Sequence, residues 1–163
     1  MNGSPQTPYD ALRASRLAAE LDEAQCRTLA ERLTMRELAD GEVLVREDTS
    51  DTHLYVIVSG TLAVVRGVDT PERVQLFTLG HDDTVGEMSF LDDSVHYASF
   101  VARGPARVFG LDRSNLEGLL DSQPHVVYRV MRAIVRRVHQ IQHRLAAQSA
   151  ELENYVYKQH GRY

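Results

Sequence analysis

The stretch Val85-Gly-Glu-Met-Ser-Phe-Leu-Asp-Asp-Ser-Val-His-Tyr-Ala-Ser-Phe100 decides the fold of this chain. It predicts a Gly-Glu turn, one apolar helical turn, a polar loop and a strand that begins at Tyr97. Gly86 lets the backbone come close to a ligand, and the N–H groups at the start of the short helix favour an anion. The carboxylate of Glu87 is then expected to face a hydroxyl-bearing part of that ligand. The pattern is typical of a loop that binds a sugar phosphate.

This stretch resembles the phosphate-binding cassette of the cyclic-nucleotide-binding domains. In that family a Gly-Glu-apolar-small-apolar-apolar sequence precedes a short loop, an Arg, small residues and a strand. Residues 86–91 match position by position, and residues 98–101 match the exit strand. Tyr97 replaces the Arg that neutralises the cyclic phosphate, and its neighbour His96 carries a positive charge when protonated. The resemblance implies ligand contacts from Gly86, Glu87, Met88, Ser89, His96, Tyr97, Ala98 and, on the C-terminal helix, Arg137.

A purely structural interpretation of the same residues stays open. Gly86 and Glu87 also suit a turn glycine followed by a carboxylate at a helix N-terminus, where the helix dipole favours negative charge. Tyr97 also suits a strand residue that packs over a pocket which no longer takes phosphate. Under this interpretation the domain keeps the cassette geometry and has lost the nucleotide.

Length and cysteine content predict one cytoplasmic domain. The chain has 163 residues, enough for one domain with a full core and too few for two ordinary ones. Its one cysteine, Cys26, rules out an intrachain disulfide and fits a reducing compartment. Residues 1–9 predict a mobile leader without the features of a signal peptide, and no apolar run approaches the roughly 18 residues of a membrane span.

Charge is distributed unevenly along the chain. Residues 1–124 contain 11 Lys and Arg against 21 Asp and Glu, whereas residues 125–163 contain 7 against 2. Because nucleic-acid binding needs a basic surface, the acidic body argues against DNA as a partner. The basic tail suits an acidic partner.

Hydrophobic periodicity predicts two helices followed by short strands. Leucines at helical spacing indicate helices near residues 10–20 and 23–33, and from Leu38 the period changes to two. Short alternating segments separated by turn residues are typical of an antiparallel sandwich or barrel. The predicted strands are 42–45, 54–58, 61–65, 74–78, 99–102 and 107–111.

The resemblance to cyclic-nucleotide-binding domains extends over this β region. Leu38-Ala-Asp-Gly41-Glu-Val43 and Leu54-Tyr-Val-Ile-Val-Ser-Gly60-Thr-Leu62 follow the family order, at the expected distance before the cassette. The fold implied is mainly β with flanking helices, a jelly-roll barrel over residues 10–123. At Glu47-Asp48 the chain lacks a glycine common in the family, so a differently shaped turn is expected there.

The C-terminal segment, residues 124–163, predicts a long dimerisation helix. Asp112 suits the N-cap of a short helix before it, and Pro124 suits the first turn of the long one. Apolar residues then recur with the four-three spacing of a coiled-coil seam, which continues through Gln148, its one polar member, Leu152 and Tyr155. The main seam positions are Val127, Met131, Ile134, Val138, Ile141 and Leu145.

The C-terminal helix resembles the one through which catabolite-activator-type proteins dimerise. There the helix leads into a helix-turn-helix domain, for which these 163 residues leave no room. Of the paired Arg136 and Arg137, one is expected to reach the ligand or the partner subunit, or both flank the coiled coil in solvent.

No catalytic or metal motif is apparent. The sequence lacks an ordered Ser-His-Asp set, a Walker loop and an HExxH motif, and its one helical histidine pair, His139 and His143, faces away from the seam. We therefore expect a non-enzymatic, cytoplasmic, homodimeric regulator that acts on a partner protein and carries no metal or cofactor besides a cyclic-nucleotide ligand. The alternative is a degenerate interaction module without cyclic mononucleotide binding, or one that binds another ligand such as a cyclic dinucleotide.

Overall fold

The computed structural model describes residues 6–160, apart from the side chains of Leu152 and residues 155–160, so the predicted seam positions Leu152 and Tyr155 and the first five leader residues lie outside the description. Helices flank a β-sheet. The elements follow one another in the order α1, a 3₁₀ turn, α2, β1–β5, α3, β6, α4 and α5. Their bounds are α1 Pro8–Arg13, 3₁₀ Arg16–Ala18, α2 Glu23–Ala30, β1 Leu33–Leu38, β2 Val43–Val45, β3 His53–Arg66, β4 Val74–Leu79, β5 Thr84–Val85, α3 Glu87–Asp92, β6 Ser99–Asp112, α4 Arg113–Glu117 and α5 Pro124–His160.

The N-terminal helices are shorter than predicted, and a strand follows them directly. Reciprocal hydrogen bonds between Asp22 and Gln25 cap α2, which ends at Ala30 instead of residue 33. The predicted helix ended at Leu33, which continues the leucine spacing, and no strand was predicted before Leu38. Residues 33–38 form β1 instead, since its backbone pairs with β6 from Leu33 opposite Leu111 to Leu38 opposite Ala106. Sheet pairing overrides the local periodicity here.

Six antiparallel strands are described, and two of them are long. The order in the sheet is β1-β6-β3-β4, with β2 paired to β6 and β5 paired to β3. The predicted pairs of strands at 54–58 and 61–65, and at 99–102 and 107–111, are each one bent strand. Register shifts in the β3–β6 pairing around Ser59 mark the bend. The mainly β, jelly-roll class predicted from the sequence is confirmed.

Two apolar cores lie on either side of the sheet. Inside the curved sheet, side chains such as Ile57, Val85 and Val108 pack together. On the outer face, α1, α2 and the first half of α5 pack over Val56 and Phe109. The predicted ligand loop lies where these two cores meet.

The first part of α5 belongs to the outer core. Val126, Val130 and Ile134 are at most 2% exposed. Ile134, a predicted seam residue, is therefore buried within its own chain, whereas Leu145 is 53% exposed. None of the helices in the described range is both long and apolar enough for a membrane crossing.

The bend in β3 requires glycine at position 60. Gly60 has φ +83°, and a Cβ atom there would lie 2.5 Å from the carbonyl oxygen of Pro105. Gly104 has a similar φ of +75° but open space around it. An alanine at either position has an unfavourable backbone conformation, but only at Gly60 does its Cβ atom also overlap with neighbouring atoms.

We predict that Gly60→Ala destabilises the protein by at least about 2 kcal/mol more than Gly104→Ala. The left-handed conformation alone costs an alanine about 1–2 kcal/mol, and at Gly60 the β6 backbone must also move. Urea unfolding followed by circular dichroism measures both variants. Equal losses of stability would show that the β3–β6 contact does not restrict this position.

Candidate functional site

The cassette, residues 84–100, is fixed to β3 through a close backbone contact. Thr84 and Val85 pair with β3, and Gly86 then takes φ +88° as the N-cap of α3. A Cβ atom at Gly86 would lie 2.8 Å from the carbonyl oxygen of His53, so only glycine fits without a shift. Four residues further, Phe90 is 1% exposed and anchors α3 in the outer core.

The loop between β2 and β3 holds both arms of the cassette. The Ser89 hydroxyl donates to the carbonyl oxygen of Asp51 at 2.6 Å and accepts from its N–H at 2.9 Å. On the other arm, the backbone N–H of His96 donates to the Thr49 carbonyl at 2.7 Å, and the backbone carbonyl of His96 accepts from the Asp48 N–H at 2.8 Å. Asp48 has φ +60°, so an aspartate takes the left-handed conformation that a glycine would take.

Glu87 lies at the mouth of a small cavity between the cassette and α5. Its carboxylate accepts a hydrogen bond from the Thr84 hydroxyl. The cavity has a volume of about 20 Å³, room for roughly one water molecule. Its walls include Val56 from β3 and Ile134 and Arg137 from α5. A nucleotide needs far more space, so its binding at Glu87 would require α5 or its neighbours to move.

His96 is a buried side chain with a lowered pKa. It is 6% exposed, and its Nε2 atom makes no hydrogen bond within the described residues. Burial lowers the pKa of His96, while Asp51, whose Oδ2 lies 3.9 Å from Nε2, and Glu87 oppose that effect. The imidazole therefore does not replace the missing arginine charge at neutral pH.

Tyr97 and Ala98 take opposite orientations. Tyr97 is 55% exposed and sets its ring edge-to-face against Phe100 at 6.3 Å between centroids, whereas Ala98 is fully buried. Partial burial, and then the Glu87 charge, raise the pKa of Tyr97, so its phenol stays neutral. The exit strand begins at Ser99, where the predicted strand 99–102 begins, and not at Tyr97.

The exposed side chains of the cassette are acidic or apolar. Asp92 and Asp93 are exposed, as are Met88, Val95 and Tyr97. The nearby cation, Arg113, donates to Asp93 Oδ1 at 2.7 Å and to the Phe90 carbonyl at 3.3 Å. Arg113 thus secures the end of α3, and the predicted phosphate position gains no positive charge from it.

The buried cation near the site is Arg137, which comes from α5. It is 7% exposed and forms an ion pair with Asp83 of the turn before β5. Burial, and then the charges of Arg144 and Arg16, lower its pKa. Arg136, its neighbour in sequence, is instead half-exposed and lies 3.3 Å from Glu20. Of the two arginines, therefore, only Arg137 reaches the cavity beside Glu87.

The sequence did not indicate Asp83 or Arg16 as site residues. Arg16 lines the cavity, and Asp83 contacts Arg137 in its wall. Each residue is far in sequence from the side chain that it contacts, which is Asp82 for Arg16 and Arg137 for Asp83. The available signal was the acidic pair Asp82-Asp83 just before the cassette, but no spacing rule connects a turn with a helix more than 50 residues later.

Comparison with known proteins places this geometry in a family. The family model described as "Cyclic nucleotide-binding domain" matches residues 35–123. A Pseudomonas aeruginosa protein named Pycsar effector protein PaPycTIR is 33% identical over 115 residues, 70% of this chain. A Mycobacterium tuberculosis protein named CRP-like cAMP-activated global transcriptional regulator is 24% identical over 118 residues, 72% of this chain.

Solved structures share the fold. The crystal structure of a cyclic nucleotide-binding domain from Methylobacillus flagellatus superposes with a TM-score of 0.72 at 18% identity, covering 93% of this chain and 83% of that one. The match spans only 36% of the Pseudomonas relative and 53% of the Mycobacterium relative. Those proteins therefore contain further regions to which this chain has no counterpart in the alignment.

We predict that burial of His96 makes the protein less stable as pH falls from about 7 toward 5. The unfolded chain binds a proton near the ordinary histidine pKa of about 6.5, whereas the folded state resists protonation until lower pH. His96→Gln should flatten this part of the pH dependence in urea unfolding. His125→Gln, at an exposed position on α5, is the matched control. An unchanged slope in the His96 variant would refute the assignment.

Proposed function

The chain belongs to the cyclic nucleotide-binding domain family, and we propose that it acts as a ligand-responsive regulatory domain whose output element is α5. In this proposal, occupancy of the cavity beside the cassette changes the position of α5, and α5 transmits the change to a partner protein. The domain performs no chemistry on its ligand.

One observation carries this proposal: the cassette and α5 share a cavity. Glu87 from the cassette and Ile134 and Arg137 from α5 line the same small space. Because that space is too small for a nucleotide, a ligand cannot reach Glu87 without displacing some of these groups. Binding at the cassette and movement of α5 are then coupled through the side chains that line this space.

The named relatives support a regulatory role. One is described as a cAMP-activated transcriptional regulator and the other as an effector. We extend to this chain the general idea of regulation by a small ligand. We do not extend DNA binding, because the body of the chain is acidic.

The partner in this proposal is first a second copy of the chain and then another protein. The outer half of α5 carries Val138, Ile141 and Leu145 at partly or fully exposed positions with seam spacing. A dimer would cover them. The single buried Cys26 suits a reducing, cytoplasmic setting for such a regulator.

The runner-up proposal is a module that has lost cyclic mononucleotide binding. Two observations favour it: Tyr97 stands where the family has an arginine, and burial keeps His96 neutral. Such a module would act through protein contacts, or would bind a different ligand such as a cyclic dinucleotide.

A thermal-shift panel of cyclic mononucleotides and dinucleotides distinguishes the two proposals. A ligand at 100 times its dissociation constant adds about 2.7 kcal/mol to the stability of the folded state. A shift with any member of the panel supports the ligand-responsive domain and identifies the ligand class. No shift with any member at millimolar concentration favours the interaction module.

We predict that Tyr97→Arg increases affinity for cyclic AMP or cyclic GMP by roughly 30-fold to several thousand-fold. Loss of one partner in a buried charge-assisted pair typically costs about 2–5 kcal/mol, and about 1.4 kcal/mol corresponds to tenfold in affinity. From a micromolar starting point, the unmodified protein should bind more weakly than about 100 µM. Calorimetry on both proteins measures the difference.

Glu87→Ala added to Tyr97→Arg should abolish the recovered binding, since the cassette then loses its hydroxyl-binding carboxylate. Tyr97→Phe is the control, because it changes the same position without adding charge. Low-micromolar binding by the unmodified protein would contradict the role given to Tyr97 and would make Arg137 the first candidate for the missing charge.

We predict that Leu145→Asp converts a dimer to a monomer without unfolding the chain. Leu145 is exposed within its own chain, so the charge should be tolerated there, whereas in a dry seam it is costly. Ile134→Asp would not separate the two effects, because Ile134 is a core residue. Light scattering at tens of micromolar gives the mass, with His143→Asp as the control on the opposite face. A monomeric wild-type protein, or a dimeric Leu145→Asp variant, would contradict the proposal.

A further inference from the structure

The turn at residues 80–83, between β4 and β5, is rigidly joined to β3. Ile57 of β3 accepts from the Asp82 N–H at 2.8 Å and donates its own N–H to the Asp83 carbonyl at 2.9 Å. The turn is also closed on itself, because the Gly80 N–H donates to Asp83 Oδ2 at 2.8 Å. The backbone of both aspartates is therefore tied to β3, and the side chain of Asp83 is also tied to the turn.

These two aspartates contact two helical elements that cover the cavity. Asp82 accepts from the backbone N–H of Arg16 at 3.0 Å and lies 3.3 Å from its Nε atom, at the start of the 3₁₀ turn. Asp83 forms the ion pair with Arg137 of α5. Gln140, one turn further along α5, lies within 3.4 Å of both arginines.

The two ion pairs differ in burial. The side chains of Arg137 and Asp83 are 8% and 19% exposed, whereas that of Arg16 is 68% exposed. An exposed pair contributes little, but a buried charge that loses its partner is strongly destabilised. The Nε atom of Arg137 already has no hydrogen-bond partner among the described residues. Core packing of Val130 and Ile134 also holds α5, as do the ion pairs of Arg132 and Arg136 with Glu20. The Asp83–Arg137 pair is the buried ionic contact between α5 and this turn.

Arg137 also separates two cavities. Arg16, Ala133 and Arg137 line both the space of about 20 Å³ beside Glu87 and a neighbouring space of about 180 Å³ between the 3₁₀ turn and α5. Residues common to both linings form the wall between them. If Arg137 moves, the two spaces join into a larger one beside Glu87, and a small-ligand pocket of roughly 300–1,000 Å³ then requires further movement of α5.

We propose that Asp83 and Arg137 form an ion-pair latch that holds α5 against the barrel and keeps the cavity beside Glu87 small. A ligand enters when this pair opens, so the latch sets how readily the domain responds. Control of ligand entry rests on the proposed ligand-responsive function, whereas the latch itself concerns the protein without ligand.

A double-mutant cycle that removes the two charges tests the latch without any ligand. Asp83→Asn keeps the shape of the side chain but leaves the Arg137 charge buried and unpaired, and Arg137→Met leaves Asp83 without its cation. The double variant, Asp83→Asn with Arg137→Met, contains no unpaired charge. Hydrogen exchange of the α5 amides at residues 135–150, read by mass spectrometry, reports how firmly the helix is held.

We expect at least a tenfold faster exchange of these amides in Asp83→Asn and a smaller acceleration in Arg137→Met, because Asp83 keeps the hydrogen bond from Gly80. The double variant should return toward the wild-type rate. Arg27→Gln, which breaks the exposed pair with Glu23, is the control and should leave α5 unchanged. Wild-type exchange in both single variants would overturn the latch, as would a double variant that exchanges as fast as Asp83→Asn or does not fold.

A second arm links the latch to ligand binding. In the Tyr97→Arg background, Asp83→Asn should bind cyclic AMP about tenfold more tightly. Without the ion pair, a larger fraction of the molecules is already in the open state that admits the ligand. Unchanged affinity together with faster α5 exchange would refute control of ligand entry by the latch. If cyclic AMP binds to neither protein, the Tyr97→Arg prediction fails and the ligand panel decides the proposed function. The exchange cycle still decides whether the latch exists.

Discussion

The approach of Gly86 to the carbonyl oxygen of His53 is the contact on which the site depends. At 2.8 Å from a would-be Cβ atom, it demands glycine and leads the chain directly from β5 into α3. The direction of α3 then follows, because Phe90 must reach the outer core four residues later. Glu87 is placed beside the cavity for the same reason.

The positive charge near this site comes from a different part of the chain than the family pattern implies. The cassette itself offers a phenol at Tyr97 and a buried imidazole at His96, while exposed carboxylates surround it. The buried guanidinium belongs to Arg137 of α5 and is neutralised by Asp83. Arg137 thereby connects α5 with the turn that leads into the cassette. This connection is the reason that we propose α5 as the output element.

Local patterns predicted the parts of this structure that local chemistry controls. The Gly-Glu cassette, the N-cap at Asp112 and the start of α5 at Pro124 all follow from residue type and short-range spacing. Leu33 shows where this approach stops, since its helical spacing was real but β6 offered a full set of backbone partners.

The same limit applies to the site and to α5. Ile134 fits the four-three seam equally well whether it faces a second chain or its own barrel, and only the tertiary structure shows that it is buried in its own core. Asp83 and Arg137 are 54 residues apart, so their pairing depends on how the turn and α5 pack together. Long-range contacts of this kind leave no periodic signature in a single sequence.

In the proposed function, the cassette and α5 respond together to a ligand. A two-dimensional NMR titration of the unmodified protein with cyclic AMP, at concentrations up to several millimolar, tests this coupling most directly because it detects even weak binding residue by residue. We expect concerted shifts of the Glu87–Ser89 amides and of α5 amides between Ile134 and Ile141, with one common binding curve. Shifts in the cassette that leave α5 unchanged would contradict it.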